Sequence, residues 1–196
     1  FWQLANDGSM TSRGTLLTSS GRVDISDNGT QIIVVDGTNG YIFNTNTLAF
    51  TQITAPGFPG ASTVTFLNGY FIVTKPNTGE FYISALYDGL TWSALDFATA
   101  ESSPDVLVRV IADNGQLVLA GPETTEFWGD SGALDFPFAR VGAAAIEWGL
   151  AARWSLCKFS GVWYARCIYG DGEVGHFEAL HSFNGSDWSD PIPSSI

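Results

Sequence analysis

TVTFLNGYFIVTKPNTGEFYISALYDGLTWSALDF, residues 63–97, is the stretch that decides the fold. Apolar and aromatic side chains alternate with other residues from Val64 to Ile72 and again at Phe81 and Ile83, and this period of two is typical of half-buried strands. Asn68-Gly69 stands between the first two runs, where a type I′ turn needs two residues that tolerate positive φ. The stretch therefore predicts a meander of strand, turn, strand, turn and strand.

The same layout recurs before and after this stretch, in the segments Val23 to Phe50, Val108 to Phe136 and Ser155 to Leu180. The turn glycines of the four copies are Gly29, Gly69, Gly115 and Gly161, spaced by 40, 46 and 46 residues. A strand repeat of this length is typical of β-propeller blades. We therefore predict an all-β fold, a partial β-propeller with about four recognisable blade repeats, in which residues 1–196 form one propeller region and a fragment of a longer chain.

Composition agrees with a strand-rich chain and bears on its partners. The chain has 22 Gly, which suit many tight turns, and its 14 Phe, 7 Trp and 6 Tyr can supply a large core. Eight Lys and Arg stand against 20 Asp and Glu, a net charge of −12, which disfavours a surface that grips phosphates. An acidic conduit could still let DNA slide past, although acidity that simply keeps a protein soluble is the more common reason for such a charge.

Some local features give further expectations. Cys157 would face Tyr164 across the hairpin at Ser160-Gly161, so Cys167 lies past it and both thiols are predicted to be free. The Ala-rich run Gly142 to Ala152 is the best helix candidate, with a crossover strand and loop as the alternative. A short strand is expected around Leu16-Leu17. No apolar run reaches the length of a membrane-spanning helix and no leader peptide is evident, so no membrane partner is predicted.

Patterns that would carry chemistry are weak, and we predict no catalytic residue, no cofactor and no metal site. Asp88-Gly89-x-x-Trp92 resembles the Asp-box of sialidases, Ser-x-Asp-x-Gly-x-Thr-Trp, but lacks the residue between Asp and Gly. A Trp three residues after the glycine can staple the turn against the sheet. A sialidase also needs an arginine triad and a Tyr nucleophile. A glycan-binding propeller and, less favoured, a sialidase-like glycosidase remain the alternatives to a structural protein.

Parts of the chain resemble a known protein family. The segments are YFIVTKPNTGEFYISALYDGLTWSALDFATAESSPD (residues 70–105), GPETTEFW (121–128), SGALDFPFARVGAAAIEWG (131–149) and AARWSL (151–156). They are similar to the packaged-DNA stabilisation proteins of short-tailed, P22-like bacteriophages, also called tail accessory or tail hub proteins. The similarity extends over roughly Gly21 to Leu180, and its most specific parts are Tyr82 to Asp105 and Asp135-Phe136-Pro137-Phe138.

The resemblance implies a virion structural protein of the phage tail and no enzyme activity. A β-propeller subunit would assemble with copies of itself into a homo-oligomeric ring, a hexamer, below the portal and its adaptor protein. The ring would retain the packaged DNA, take part in DNA ejection as a continuation of the exit channel, and meet the tail needle and tailspike proteins. DNA would pass without sequence-specific binding. Assembly would take place in the cytoplasm of the bacterial host.

Function in such a protein lies in its interfaces, so the candidate site is a set of loop residues rather than a catalytic centre. We predict that Tyr87, Asp88, Phe136 and Phe138, in or beside the loops, contribute to contacts with other subunits or partners. The alternative is that these aromatic rings cap the core of their blades.

Overall fold

A computed structural model of the chain describes residues 1–100, 106–142, 145–170 and 176–183. All regular structure within these residues is β, so the prediction of an all-β fold is confirmed. The residues group into two compact units, Phe1–Pro76 with Tyr82–Phe97, and Asn77–Phe81 with Ala98–Ile196. Each unit is considered by itself.

The first unit begins with a two-stranded antiparallel hairpin, β1 (Trp2–Leu4) and β2 (Met10–Ser12). The prediction of a short strand around Leu16-Leu17 is wrong, because the backbone there does not pair with another strand. Instead the N–H of Leu17 donates to Tyr41 Oη at 2.8 Å. A side chain of the following sheet has replaced the neighbouring strand as the hydrogen-bond partner.

Sheet one consists of four consecutive antiparallel strands, β3 (Asp24–Asp27), β4 (Gln31–Val35), β5 (Gly40–Asn44) and β6 (Phe50–Gln52). The central strands are fully apolar in the middle, where Ile33 lies opposite Ile42, because both of their faces are covered. The turn at Asn28-Gly29 differs from the two-residue turn predicted for Asn68-Gly69. Asp27 pairs with Ile32, which leaves a four-residue loop that the Asn28 side chain closes by accepting the N–H groups of Thr30 and Gln31.

Sheet two has the same order, with β7 (Val64–Leu67), β8 (Tyr70–Thr74), β9 (Glu80–Ala85) and β10 (Asp88–Thr99). The predicted type I′ turn is confirmed, since Leu67 pairs with Tyr70 and both Asn68 (φ 50°) and Gly69 (φ 91°) have positive φ. Ile33, Ile42, Phe71, Val73 and Trp92 belong to one buried cluster that the side chains of both sheets form. The faces of the two sheets are therefore sealed against each other.

The second unit contains sheet three, which is made of β11 (Arg109–Asp113), β12 (Gln116–Ala120), β13 (Thr125–Asp130) and β14 (Phe138–Arg140). Its first turn, Asn114-Gly115, again has positive φ at both residues, as the repeat predicts. Leu117, Val118 and Leu119 on β12 are buried, so the second strand of this sheet carries its core.

Sheet four contains β15 (Gly149–Leu150), β16 (Cys157–Phe159), β17 (Val162–Gly170) and β18 (His176–Phe183). Because β18 pairs with β17 along 163–170, β15 and β16 share the opposite edge of β17 and act as one interrupted strand. The predicted register is confirmed, with Cys157 opposite Tyr164, and both thiols are free. The described part of the Ala-rich run is the strand-and-loop alternative, not a helix: Ile146 bridges Thr125 and Gly149 opens β15.

Candidate interaction surface

Tyr87 lies at an exposed reversal of sheet two, between β9 and β10. Its side chain is 62 % exposed and its backbone has φ 55°, a conformation that residues other than glycine, asparagine and aspartate rarely adopt. Its N–H donates to the carbonyl of Gly69 at 2.7 Å, which ties this outer reversal to the β7–β8 turn. Leu86 beside it is also largely exposed. Two large side chains are thus presented to solvent on a firmly held backbone.

Asp88 follows Tyr87 and organises the start of β10. Its carboxylate accepts the N–H of Leu90 at 3.0 Å and the hydroxyl of Thr91 at 2.7 Å. Burial raises the pKa of this carboxyl, but the hydrogen bonds from Leu90, Thr91 and Gln31 outweigh that effect and hold its pKa below the ordinary value of 3.8. Asp88 is therefore an anion at neutral pH, fixed next to two exposed apolar side chains.

Gly89 and Trp92 anchor this reversal to the core. Trp92 Nε1 donates to the carbonyl of Gly89 at 2.7 Å, so the predicted staple is confirmed, although Asp88-Gly89 lies within β10 rather than forming the turn itself. The N–H of Gly89 donates to Oε1 of Gln31 in sheet one at 2.8 Å. A Cβ at Gly89 would overlap the side chain of Ile42, which explains the glycine. Sheet one and sheet two are thereby joined at this end.

Sheet one repeats the arrangement. The N–H of Thr45 donates to the carbonyl of Thr30 at 2.9 Å, which matches the bond from Tyr87 to Gly69. The same reversal carries Leu48, which has φ 60° and is 42 % exposed. Thr30 and Gln31 are adjacent in the chain, so the bond from the Leu48 reversal and the bond from Gly89 reach neighbouring residues. We call this end of the first unit the tip surface and define it by Asp27, Leu48, Leu86, Tyr87 and Asp88.

Leu48, Leu86 and Gln31 were missed by reasoning from the sequence. One available signal was the position of Leu48 after Thr45-Asn46-Thr47, where a turn has no structural need for a large apolar side chain. Gln31 gave no signal, because its role depends on a contact with a sheet that lies 58 residues further along the chain.

Phe136 and Phe138 lie at the last strand of sheet three and their rings are 6.3 Å apart. Phe138 is only 3 % exposed, and Phe136 stands edge-on to Phe81 at 5.7 Å. Phe138 is therefore buried in sheet three, whereas the half-buried Phe136 packs against Phe81 of β9. The structure brings Tyr87 next to Asp88 and Phe136 next to Phe138, and a contact of any of the four with a partner stays a prediction.

Several arginines have structural contacts that bear on the sialidase alternative. Arg109 donates to the carbonyl of Arg153 at 3.1 Å, and Arg153 donates to the carbonyl of Val108 at 2.9 Å. The Arg109 guanidinium also lies over the Trp154 ring at 5.2 Å. Arg140 is 3.9 Å from the buried Glu126 carboxylate. These guanidinium groups join elements of the second unit rather than converging on an open site.

A metal-binding cluster and a membrane-spanning helix are both absent from the part of the chain that the structure describes. Within residues 1–100, 106–142, 145–170 and 176–183, no group of three or more His, Cys, Asp or Glu side chains could hold a metal ion. In the same ranges no helix has the length and hydropathy needed to span a membrane.

Comparison with solved structures shows likeness of fold alone. The extracellular domain of the putative hybrid two-component system BT4673 from B. thetaiotaomicron matches with a TM-score of 0.50 and 11 % identity, over 91 % of this chain and 25 % of that one. Kluyveromyces lactis Hsv2 matches with a TM-score of 0.46 and 11 % identity, over 90 % and 48 %. The chain spans less than half the length of the first structures that it matches. None of the curated proteins compared with the chain matches it.

A family model gives the decisive comparison. The model of phage stabilisation proteins, described as bacteriophage P22 Gp10, beta-propeller, matches residues 1–174. This match covers most of the chain and confirms both the β-propeller fold and the predicted resemblance to packaged-DNA stabilisation proteins. It places the chain among phage structural proteins. The chain belongs to the family of the bacteriophage P22 Gp10 β-propeller.

Proposed function

We propose that the chain is a subunit of a homo-oligomeric ring in the tail of a short-tailed phage, below the portal and its adaptor protein, where it retains the packaged genome and continues the exit channel. The observation that carries the proposal is the family match over residues 1–174. Tail needle and tailspike proteins would be further neighbours. The protein would act by its architecture and not by catalysis.

The joints between neighbouring sheets support a load-bearing role. In the first unit, Asp24 Oδ2 accepts the N–H of Val64 at 3.0 Å, so the first strands of sheets one and two are directly bonded in a buried position. In the second unit, Arg109 and Arg153 exchange hydrogen bonds with backbone carbonyls across the boundary of sheets three and four. Hydrogen bonds between charged side chains and backbone groups are the stronger kind, which suits a protein that resists internal pressure.

The charge of the chain supports a passive relation to DNA. With a net charge of −12, the surface offers phosphates few cations to displace their counterions. A channel wall that repels DNA slightly would let the genome leave without binding to the protein. Holding the genome would then depend on closure of the channel by protein contacts.

The proposal is tested by deleting the gene from the phage that encodes it and measuring the DNA retained in purified particles. We expect particles without the protein to package DNA and then to lose it to added nuclease, and expression of the full-length protein from a plasmid to restore retention. Electron microscopy of the purified full-length protein should show rings with a central channel. Particles that keep their DNA without the protein, or a monomer that binds or cleaves oligosaccharides, would contradict the proposal.

A further inference from the structure

The tip surface combines apolar side chains and fixed negative charge, and we propose that it docks a partner protein whose contact surface has Lys or Arg side chains around apolar pockets. The inference deepens the proposed structural role by naming the chemistry of a partner, and it rests on that role only in expecting a protein neighbour.

The first observation is where the apolar side chains stand. Leu48 and Tyr87 both occupy positive φ at exposed reversals, in neighbouring sheets of one compact unit. Asparagine or glycine is the residue that such a position favours, and a bulky residue there strains the backbone. Tyr87 keeps one ring contact, with Phe66 at 6.2 Å, but neither Tyr87 nor Leu48 is buried in the core, so packing offsets this strain only in part. The recurrence of the same costly choice in two sheets points to a use of these side chains outside the chain.

The second observation is that the surface is rigid. Each reversal is bonded to the inner turn of its own sheet, by Thr45 to Thr30 and by Tyr87 to Gly69. Gln31 then joins the two sheets through Gly89. A fixed backbone loses little loop freedom on binding, and tyrosine is a residue that is enriched at protein interfaces.

The third observation is the charge, which selects the partner. Asp27 and Asp88 stand on the tip surface, and no Lys or Arg occurs in the sequence between Arg22 and Lys75 or between Lys75 and Arg109. Lys75 follows β8, at the opposite end of β9 from Tyr87. The tip surface thus carries two carboxylates, and sheets one and two contribute no Lys or Arg side chain to it. Complementarity favours a basic protein surface and disfavours both DNA and a second copy of this acidic chain.

The probe is a fluorescent hexapeptide of alternating lysine and leucine, with glutamate–leucine and lysine–serine hexapeptides as controls, and binding is followed by anisotropy. We expect only the lysine–leucine peptide to bind, with an affinity that falls as salt is added. The double variant Leu48→Asn with Tyr87→Asn should weaken binding by about tenfold or more. It should unfold at about the same urea concentration, because the tolerance of asparagine for positive φ offsets the lost ring contact of Tyr87 with Phe66.

The matched control is Leu95→Asn, which removes a leucine of β10 that is 84 % exposed but lies outside the tip surface. It should bind the peptide like the unaltered chain. Equal binding by the double variant, or an equal loss with Leu95→Asn, would overturn the proposal. So would binding of a short DNA duplex at this surface, or self-association in light scattering that the double variant abolishes. Loss of genome retention tests the proposed function separately, since it does not depend on this peptide.

Discussion

Asp36 shows how much one carboxylate can organise. Its Oδ1 accepts the N–H groups of Thr38 at 3.0 Å and Asn39 at 2.7 Å, which closes the β4–β5 turn. Its Oδ2 accepts the hydroxyls of Thr18 at 2.8 Å and Tyr41 at 3.2 Å, which fastens the segment after β2 onto sheet one. Burial raises the pKa of Asp36, but the bonds from Asn39, Thr18 and Thr38 outweigh it, so its pKa lies below 3.8.

Asp36→Asn should separate these two roles. Asparagine keeps an oxygen for the turn but presents an amide where Thr18 and Tyr41 donate, so we expect a loss of about 1–2 kcal/mol in the free energy of unfolding at neutral pH. Because the folded pKa is lowered, the contribution of the carboxylate is present above the unfolded pKa and disappears as the pH falls through the folded one. Urea unfolding at neutral and acid pH should therefore show the variant and the parent converging as the pH falls through the lowered pKa of Asp36. A difference that persists in acid would contradict this account.

The two cysteines should differ sharply in reactivity. Burial raises the pKa of Cys167 to about 12, whereas Cys157 is exposed. Since the thiolate is the reacting species, iodoacetamide at mildly alkaline pH should label Cys157 in the native protein and both cysteines in urea, as read by peptide mass spectrometry. Cys157→Ser should leave the native protein unlabelled. Labelling of Cys167 at the rate of Cys157 would show that the second unit opens readily.

Some turns of this fold could be predicted from the sequence and others could not. Asn68-Gly69 and Asn114-Gly115 have the backbone that a two-residue type I′ turn requires, so local chemistry was enough there. Asn28-Gly29 has the same two letters, but the Asn28 side chain closes a longer loop, and no local rule distinguishes the two outcomes. The Leu17 backbone was beyond prediction because its partner, Tyr41, belongs to another element.

The candidate site also has features that could be predicted from the sequence and features that could not. The bond from Trp92 to Gly89 follows from a spacing of three residues and was predictable. The burial of Phe138 and the pairing of Gln31 with Gly89 depend on how strands assemble, which spacing along the chain does not encode. Exposure of Tyr87 could be expected from its place in a loop, but its positive φ could not.

Gly149 in β15 marks a close approach of two elements. A Cβ there would overlap the backbone of Pro122 and Glu123, in the turn between β12 and β13. Gly149→Ala should therefore lower the free energy of unfolding by about 3 kcal/mol, because backbone atoms cannot move aside as a side chain can. Gly129→Ala is the control, since its Cβ would meet only the Val141 side chain at 3.0 Å and should cost clearly less. Urea denaturation of both variants measures the difference, and equal costs would argue against the close approach.

Charge is a property of the entire chain and leads to a prediction about DNA. With 8 Lys and Arg against 20 Asp and Glu, we expect no retardation of a DNA duplex in a gel at physiological salt. Lowering the salt should not produce tight binding, because few counterions can be released. A histone-like basic protein serves as the positive control. Retardation that weakens steeply with added salt would reveal a cationic groove and would contradict the passive conduit.

The interruption between β15 and β16 makes one edge of sheet four irregular. Leu150 and Cys157 face positions on β17 that are three residues apart, about 10 Å, yet seven steps of chain connect them. The extra residues form a loop that brings Arg153 and Trp154 into contact with Arg109. A continuous edge strand at this position would add hydrogen bonds to β17 but would remove the contacts of Arg153 and Trp154 with Arg109. The irregular edge of sheet four is therefore what links this repeat to the neighbouring one.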